Sequence, residues 1–214
     1  MMKQFKRYST PMLMLNAVIF FSAGFTFLKL ADDVWFREGF SWDAPIMLAI
    51  HQYSQPWLDT LFIGITNSAG KYIPLFLLGA LVLLWIKHKK IEIVSLIVSL
   101  VGAIIINGAL KILFARPRPA IFPPITVEYS YSFPSGHTMT AMAFYGFVAI
   151  LLWQWHRRIW ALAFGGWVLL VALSRVYLGV HYPSDVLGAL AVGALWLIIV
   201  EIFYFQTQQK QNNL

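Results

Sequence analysis

The chain has 214 residues, of which 59% are hydrophobic and only 12% are charged. A soluble chain carries about 25% charged residues, so this composition argues against a soluble enzyme, a disordered tail and a nucleic-acid-binding module. The net charge of +7 lies on no polar domain, and we therefore expect a membrane surface to be its partner. The absence of cysteine excludes a disulfide framework, thiol catalysis and cysteine-ligated metal.

Six long stretches carry little or no charge, and a helix needs about 20 such residues to cross the hydrocarbon core of a bilayer. They predict membrane-spanning helices at residues 8–28, 72–86 with an apolar approach over 60–70, 93–110, 138–155, 159–174, and 186–205. A bilayer offers the backbone no hydrogen-bonding partners, so helices are the expected form, and the alternation typical of a β-barrel is absent. We therefore predict an all-α, polytopic membrane protein with six transmembrane helices in a bundle.

The polar segments between these stretches divide the chain into four parts. We expect a first transmembrane helix with a basic N-terminus over 1–30, an external interfacial segment with short helices over 31–59, a catalytic transmembrane core over 60–205, and a cytoplasmic tail over 206–214. The first stretch resembles a signal peptide, but it exceeds the usual apolar length of about 7–15 residues and no A-x-A site follows, so we predict a retained helix. Residues 111–137 contain five prolines and should form an irregular, stiff loop.

Lysine and arginine in short loops indicate which side of the membrane is cytoplasmic. One side collects the basic residues of the N-terminus, of two short loops and of the tail: Lys3, Lys6, Arg7, Lys87, Lys89, Lys90, Arg157, Arg158 and Lys210. We therefore expect both termini in the cytoplasm. The other side nevertheless carries four basic residues against this bias, which indicates an anionic ligand there: Lys111, Arg116, Arg118 and Arg175.

Three short segments concentrate the reactive side chains on the predicted external side, at residues 111–119, 134–137 and 174–185. In the first and third, lysine and arginine supply positive charge, and arginine binds phosphate oxygens through a bidentate fork. In the second, Ser135 and Gly136 precede an apolar helix, whose first backbone N–H groups form a natural anion site. The three segments together therefore favour a phosphate ligand.

Two histidines, His137 and His181, add what the cations cannot supply, a nucleophile and a proton donor. Asp185 lies four residues beyond His181, and if a helix begins near Pro183 its carboxylate can hold one imidazole nitrogen and leave the other free to attack. Each feature alone has an ordinary reading: the basic residues as membrane-boundary anchors, the serine as a helix cap, and the His and Asp set as a metal site. Three nearby cations argue against a divalent metal.

These residues resemble the signature of the phosphatidic acid phosphatase type 2 superfamily, which also includes bacterial acid phosphatases and vanadium haloperoxidases. Its three parts are K-x6-R-P, P-S-G-H and S-R-x5-H-x3-D. The sequence matches every fixed position: Lys111, Arg118 and Pro119; Pro134 through His137; and Ser174, Arg175, His181 and Asp185. Each part alone is a weak signal, but the three in this order on a six-helix frame are specific. The resemblance covers about residues 60–200.

The resemblance implies that His181 attacks phosphorus and forms a phosphohistidine, that Asp185 orients it, and that His137 protonates the leaving oxygen. It also implies that the phosphoryl oxygens are held by Lys111, Arg118, Ser135, the Gly136 amide and Arg175. No metal or other cofactor is implied, because fixed cations supply the electrostatic stabilisation. Arg116 is extra to the signature, and we expect it to be a headgroup contact or a surface charge.

The expected function is that of an integral membrane lipid phosphatase acting on a phosphomonoester or terminal diphosphate. Its expected substrates are undecaprenyl diphosphate, phosphatidylglycerol phosphate, phosphatidic acid or a lipid A phosphate, in a bacterial inner membrane with the site outside. A lipid-linked phosphotransferase using the same phosphohistidine and a non-catalytic lipid-binding membrane protein are the alternatives. A transporter would place charges at the midplane, whereas these charges lie at helix ends. The sequence leaves the oligomeric state open.

Overall fold

The computed structural model describes residues 10–212, and helices make up most of that part of the chain. A π-helical turn, Met142–Gly146, joins α6 and α7 into one rod. No strand occurs among residues 10–212. The helices are α1 (Thr10–Trp35), α2 (Asp43–His51), α3 (Pro56–Ser68), α4 (Ile73–Ile86), α5 (Lys90–Phe114), α6 (Gly136–Ala141), α7 (Phe147–Gln154), α8 (Arg158–Tyr177) and α9 (Pro183–Asn212).

Five helical spans within the described residues are long and apolar enough to cross a membrane: α1, α5, the α6–α7 rod, α8 and α9. The pair α3 and α4 passes the same test only jointly, with a bend of 50° at the break between them, and counting it as one span gives six. Pro74 lies in the first turn of α4, where its missing N–H costs no helical hydrogen bond. The prediction of an all-α membrane bundle is confirmed, and the bent pair corresponds to the expected second helix with its apolar approach.

The external segment expected over 31–59 is largely helical. α1 continues through Trp35, where an ion pair of 3.0 Å between Lys29 and Asp33, one turn apart, supports the added turn. α2 is a short helix in the same segment, and α3 already begins at Pro56. The basic residues Lys3, Lys6 and Arg7, and the last two residues of the tail, lie outside the described residues.

The apolar core lies between α5, the α6–α7 rod, α8 and α9. Several of its members are at most 1% exposed, among them Leu96, Met139, Phe147, Val171 and Ala189. A missing side chain lets α9 approach the π-helical turn, since a Cβ on Gly193 would lie 2.9 Å from the Cβ of Met142. Large apolar side chains also cover the outer surface, as a lipid-facing bundle requires; among them are Phe21, Phe25 and Ile112.

Four helix ends meet at one end of the bundle and position the polar residues. α5 ends at Phe114 and α6 begins at Gly136, with the loop 115–135 between them, while α8 ends at Tyr177 and α9 begins at Pro183. α5 does not continue because Pro117 disfavours a helical conformation for the residue before it, and Ala115 turns the chain with a φ of 44°. The loop is irregular, as its prolines predict.

Candidate active site

The structure brings the first and third signature segments together at this end of the bundle. Nη1 of Arg118 lies 3.2 Å from Nε2 of His181, although 63 positions separate them in the chain. Nη1 of Arg118 also donates to the carbonyl of Val180 at 2.6 Å, which fixes the guanidinium beside the histidine ring. One imidazole nitrogen of His181 therefore faces a cation.

The turn after α8 presents His181. Gly179, with a φ of +75°, takes the left-handed position that ends many helices, and its N–H donates to the carbonyl of Val176 at 3.0 Å. The N–H groups of Val180 and His181 both donate to the carbonyl of Arg175 at 3.3 Å. A Cβ at position 179 would lie 2.6 Å from the ring of Phe122, so glycine is required by the space as well as by the backbone.

The other imidazole nitrogen of His181 faces a carboxylate. Its Nδ1 lies 3.3 Å from Oδ2 of Asp185, and both side chains are buried. α9 begins at Pro183, which is the condition under which Asp185 was expected to reach the histidine. Asp185 therefore lies in the first turn of α9, and the N–H of Tyr182 donates to its Oδ2 at 2.9 Å. Burial lowers the pKa of His181 to about 4, against the opposing effect of Asp185. The imidazole is therefore neutral at pH 7, the form that can act as a nucleophile.

Two side chains that the sequence analysis did not assign to the histidine also bind Asp185. Ser132 Oγ donates to Oδ2 of Asp185 and lies 3.4 Å from Nδ1 of His181. Arg116 Nη1 donates to Oδ1 of Asp185 at 2.5 Å, and its Nη2 lies 3.0 Å from Oδ2 of Asp43. Arg116 is not a surface charge, because its side chain is only 11% exposed and pairs with two buried carboxylates. The alternative expectation, a headgroup contact, stays a prediction, since Arg116 also lines a cavity beside Lys111 and Arg118.

Lys111 and Arg118 converge on the same two loop residues. Lys111 Nζ donates to Oγ of Ser130, at 3.2 Å, and to the carbonyl of Tyr131. Arg118 Nε donates to the carbonyl of Ser130 at 2.7 Å, and its Nη2 lies 3.2 Å from Oγ of the same residue. Burial lowers the pKa of Arg118 below its ordinary value. A cavity of about 630 Å³ opens beside both cations, lined by Gly108, Lys111, Ile112, Arg116, Pro117, Arg118, Tyr129, Ser130 and Tyr131.

Arg175 is nearly inaccessible, at 1% exposure, and lies between two oxygen acceptors. Its Nη1 donates to Oγ1 of Thr66 at 2.6 Å, and its Nη2 pairs with Oε1 of Glu128. The same oxygen of Glu128 lies 3.9 Å from Nδ1 of His137. Burial alone would raise the pKa of Glu128, but Arg175 and the other nearby basic groups hold it below its usual value. The third cation of the signature, Arg175, is therefore paired with the ionised carboxylate of Glu128.

His137 lies against the break between α3 and α4. A Cβ on Gly70 would lie 2.3 Å from Nε2 of His137, so the imidazole packs where that residue has no side chain. This contact has no signal in the sequence, since Gly70 looks like an ordinary turn residue between two apolar stretches. The bent helix pair thus forms one wall beside the second histidine.

Ser135 and Gly136 lie where the α6–α7 rod begins, as predicted, but the serine side chain does not cap the helix. Ser135 Oγ accepts a hydrogen bond of 3.0 Å from Oγ1 of Thr138, and the Ser135 N–H donates to the backbone carbonyl of Asp185 at 3.2 Å. A Cβ on Gly136 would lie 3.0 Å from Oδ1 of Asn107, so glycine permits the close approach of α5. These contacts hold the second segment against the third.

The arrangement suits an anionic group that is attacked by a neutral imidazole. Arg118 and Arg175 supply positive charge around His181, and Lys111 shares Ser130 with Arg118. His137 is the second group near His181 that can carry a proton. Within residues 10–212, no three His, Asp or Glu side chains are grouped as metal ligands. Fixed cations of this kind can stabilise the oxygens of a phosphoryl group during transfer.

Sequence and structure comparisons agree on one family. Residues 92–209 match the sequence profile of the PAP2 superfamily. Phosphatidylglycerophosphatase B of Bacillus subtilis is 32% identical over 185 residues, which cover 83% of this chain and 90% of that protein. Undecaprenyl-diphosphatase BcrC of the same organism is 31% identical over 168 residues, covering 75% of this chain and 81% of that protein.

The fold is also similar to a solved structure. A crystal structure of a transmembrane PAP2-type phosphatidylglycerolphosphate phosphatase from Bacillus subtilis superposes with a TM-score of 0.79 and 30% identity, covering 86% of this chain and 94% of that one. The helical spans and this likeness identify an integral membrane protein. With a profile match over more than half its length and relatives matched over most of theirs, the chain belongs to the PAP2 superfamily.

Proposed function

We propose that this chain is a lipid phosphatase, which hydrolyses a phosphomonoester or the terminal diphosphate bond of a membrane lipid through a phosphohistidine. One observation carries the proposal: His181 Nε2 lies 3.2 Å from the Arg118 guanidinium while its Nδ1 faces the Asp185 carboxylate at 3.3 Å. A neutral imidazole held by a carboxylate and aimed at a cation is suited to attack on a bound phosphoryl group.

In the first step, Nε2 of His181 forms a bond to phosphorus while the bond from phosphorus to the leaving oxygen breaks. Asp185 stabilises the positive charge that develops on the ring, and His137 gives its proton to the leaving oxygen. In the second step, water attacks the phosphohistidine, its proton passes to His137, and the N–P bond breaks to release phosphate. Lys111, Arg118 and Arg175 stabilise the phosphoryl oxygens throughout.

Substrate binding must also release Arg175 from Glu128. The Glu128 carboxylate pairs with Arg175, and Glu128 itself is partly exposed, with a quarter of its side-chain surface accessible. A phosphate dianion carries more charge and more acceptor oxygens than a carboxylate, so it is suited to displace Glu128 from the guanidinium. The displaced side chain lies on the loop 115–135, which is free of helical restraint.

The substrate is proposed to be a lipid phosphate in a bacterial membrane. The matched relatives carry the names phosphatidylglycerophosphatase and undecaprenyl-diphosphatase, and phosphatidic acid and a lipid A phosphate belong to the same chemical class. The cavity beside Lys111 and Arg118 includes Ile112, whose side chain is 77% exposed on the lipid-facing surface. A headgroup can therefore reach the cations while its chains stay among the helices.

The site is proposed to face outward, with both termini in the cytoplasm. The turns at the other end of the bundle carry Lys87, Lys89, Arg157 and Arg158, which favours the cytoplasm for that end. Because the chain has no native cysteine, single cysteines can report the orientation. In intact cells a membrane-impermeant maleimide should label Tyr129→Cys and not Lys87→Cys, and the reverse pattern would overturn this orientation.

Phosphate release by the purified protein tests the function. We expect release from at least one of phosphatidylglycerol phosphate, undecaprenyl diphosphate, phosphatidic acid and a lipid A phosphate, without added acceptor. His181→Asn should abolish turnover, whereas His88→Asn, at the opposite end of the bundle in a left-handed position that asparagine tolerates, should not. Full activity of His181→Asn would remove the mechanism, and release that depends on an added alcohol would identify a phosphotransferase.

A further inference from the structure

A buried aspartate from outside the family-matched region reaches the candidate site. Asp43 lies in α2, before residues 92–209, and is 2% exposed. Its Oδ1 accepts the N–H of Ser184 at 2.9 Å, and its Oδ2 accepts the hydroxyl of Ser184 at 2.5 Å. The same Oδ2 lies 3.0 Å from Nη2 of Arg116. Asp43 is therefore bound to the first turn of α9 and to a cation.

Arg116 connects Asp43 to the carboxylate that holds the nucleophile. Its Nη1 donates to Oδ1 of Asp185 at 2.5 Å and to Oγ of Ser184 at 2.8 Å. The guanidinium also lies 4.3 Å from the ring centroid of Tyr182 and 5.4 Å from that of Phe40. With its fork shared between two carboxylates and its face against the ring of Tyr182, the Arg116 guanidinium is held in place from several sides.

The two oxygens of Asp185 have different partners. Oδ1 accepts from Arg116, whereas Oδ2 accepts from Ser132 and the N–H of Tyr182 and faces Nδ1 of His181. The stabilisation of a protonated His181 by Asp185 therefore depends on how far the positive charge of Arg116 neutralises Asp185. Asp43 also pairs with Arg116, so it partly neutralises the same positive charge.

We propose that Arg116 and Asp43 are a positioning pair that sets the basicity of His181 through Asp185. The proposal rests on the proposed function, in which His181 is the nucleophile. It makes α2 part of the reaction centre, although α2 lies outside the signature segments.

The two charges of the pair have opposite effects on His181. Removing the cation with Arg116→Gln leaves Asp185 uncompensated, so His181 binds a proton more readily and the acid limb of kcat/KM moves to higher pH. Removing the anion with Asp43→Asn directs the full charge of Arg116 at Asp185, so the acid limb moves to lower pH. Removing one unit charge, at Arg116 or at Asp43, from this partly buried site should displace the acid limb by about one pH unit.

Other charged and polar groups face His181 and Asp185 from the loop 115–135 and from α5, α6 and α8. They are unchanged in both variants, so a displacement of the limb reports the pair itself. These groups are Lys111, Arg118, Ser132, His137 and Arg175, and Tyr182 from the turn before α9.

The experiment measures kcat/KM for phosphate release between pH 2.5 and 8 for wild type, Arg116→Gln, Asp43→Asn and Arg116→Lys. We expect limb displacements of opposite sign for the first two variants. Arg116→Lys keeps the charge but not the fork, so its limb should stay near the wild-type position while kcat falls. Matched controls are Arg157→Gln, at the opposite end of the bundle, and Asp32→Asn in α1, both at exposed positions.

A purely structural role would lower activity equally at every pH, and that result, or displacements of the same sign, overturns the proposal. The proposal gives a separate direction of displacement for Arg116→Gln and for Asp43→Asn. If one of the two variants fails to fold, the direction in the other still tests the proposal. Activity in His181→Asn would instead remove the proposed function. If His181→Asn is inactive and the acid limbs of the Arg116 and Asp43 variants are not displaced, the proposed function stands and only the positioning pair is refuted.

Discussion

Gly70→Ala tests whether the break between α3 and α4 holds the proposed proton donor in place. A Cβ at this position would lie 2.3 Å from Nε2 of His137, whereas ordinary contacts begin at 3.4 Å. The imidazole or the turn must therefore move by about 1 Å, and a misplacement of that size costs on the order of 10²-fold in rate. We expect kcat to fall roughly 100-fold, equivalent to about 2.7 kcal/mol in the barrier.

The assay is steady-state phosphate release from the best lipid substrate in detergent, with thermal stability measured on the same samples. Gly64→Ala is the matched control, because Gly64 lies in α3 of the same bent pair and its Cβ would meet nothing within 4 Å. The control should keep wild-type activity. Wild-type kcat in Gly70→Ala would refute the placement of His137 against the turn, and a loss of stability in Gly70→Ala alone would locate the effect in folding.

Three further predictions concern the charges of the site. Burial lowers the pKa of His181 to about 4, so kcat/KM should stay level from pH 7 to about 5 and fall only through about 4; a limb near 6.5, the ordinary value for histidine, contradicts this. Glu128→Gln removes the carboxylate that pairs with Arg175, so inhibition by inorganic phosphate should tighten several-fold, and weaker inhibition would oppose the exchange. Activity should survive excess EDTA because side-chain cations are proposed to stabilise the phosphoryl oxygens, and a strict Mg²⁺ requirement would contradict that.

Local spacing predicted a large part of the site. His181 and Asp185 are four residues apart, and the start of α9 at Pro183 turns that spacing into a contact of 3.3 Å. The approach of Arg118 to His181 could also be predicted, since both follow from signature segments at helix ends on one side of the membrane. The charge-free stretches located the membrane helices because lipid requires long apolar runs, whatever their detailed packing.

The remaining contacts depend on loop paths that no period or spacing encodes. Glu128 is a single acid in a proline-rich loop, and only the folded path of 115–135 places it on Arg175. Asp43 and Arg116 are 73 positions apart, so their pairing gives no local signal, and the sequence offered only a headgroup contact or a surface charge for Arg116. Thr66 likewise reaches Arg175 only because α3 packs beside α8.

The segments that precede residue 92 limit where chimeras between related proteins can be joined. Thr66, Gly70 and Asp43 all precede the stretch that matches the family profile, yet each contacts a residue of the candidate site. A chimera joined near residue 90 would therefore exchange one side of the pocket along with its membrane anchor. The junction of such a chimera should lie before α2, so that both residues of each contact come from the same parent protein.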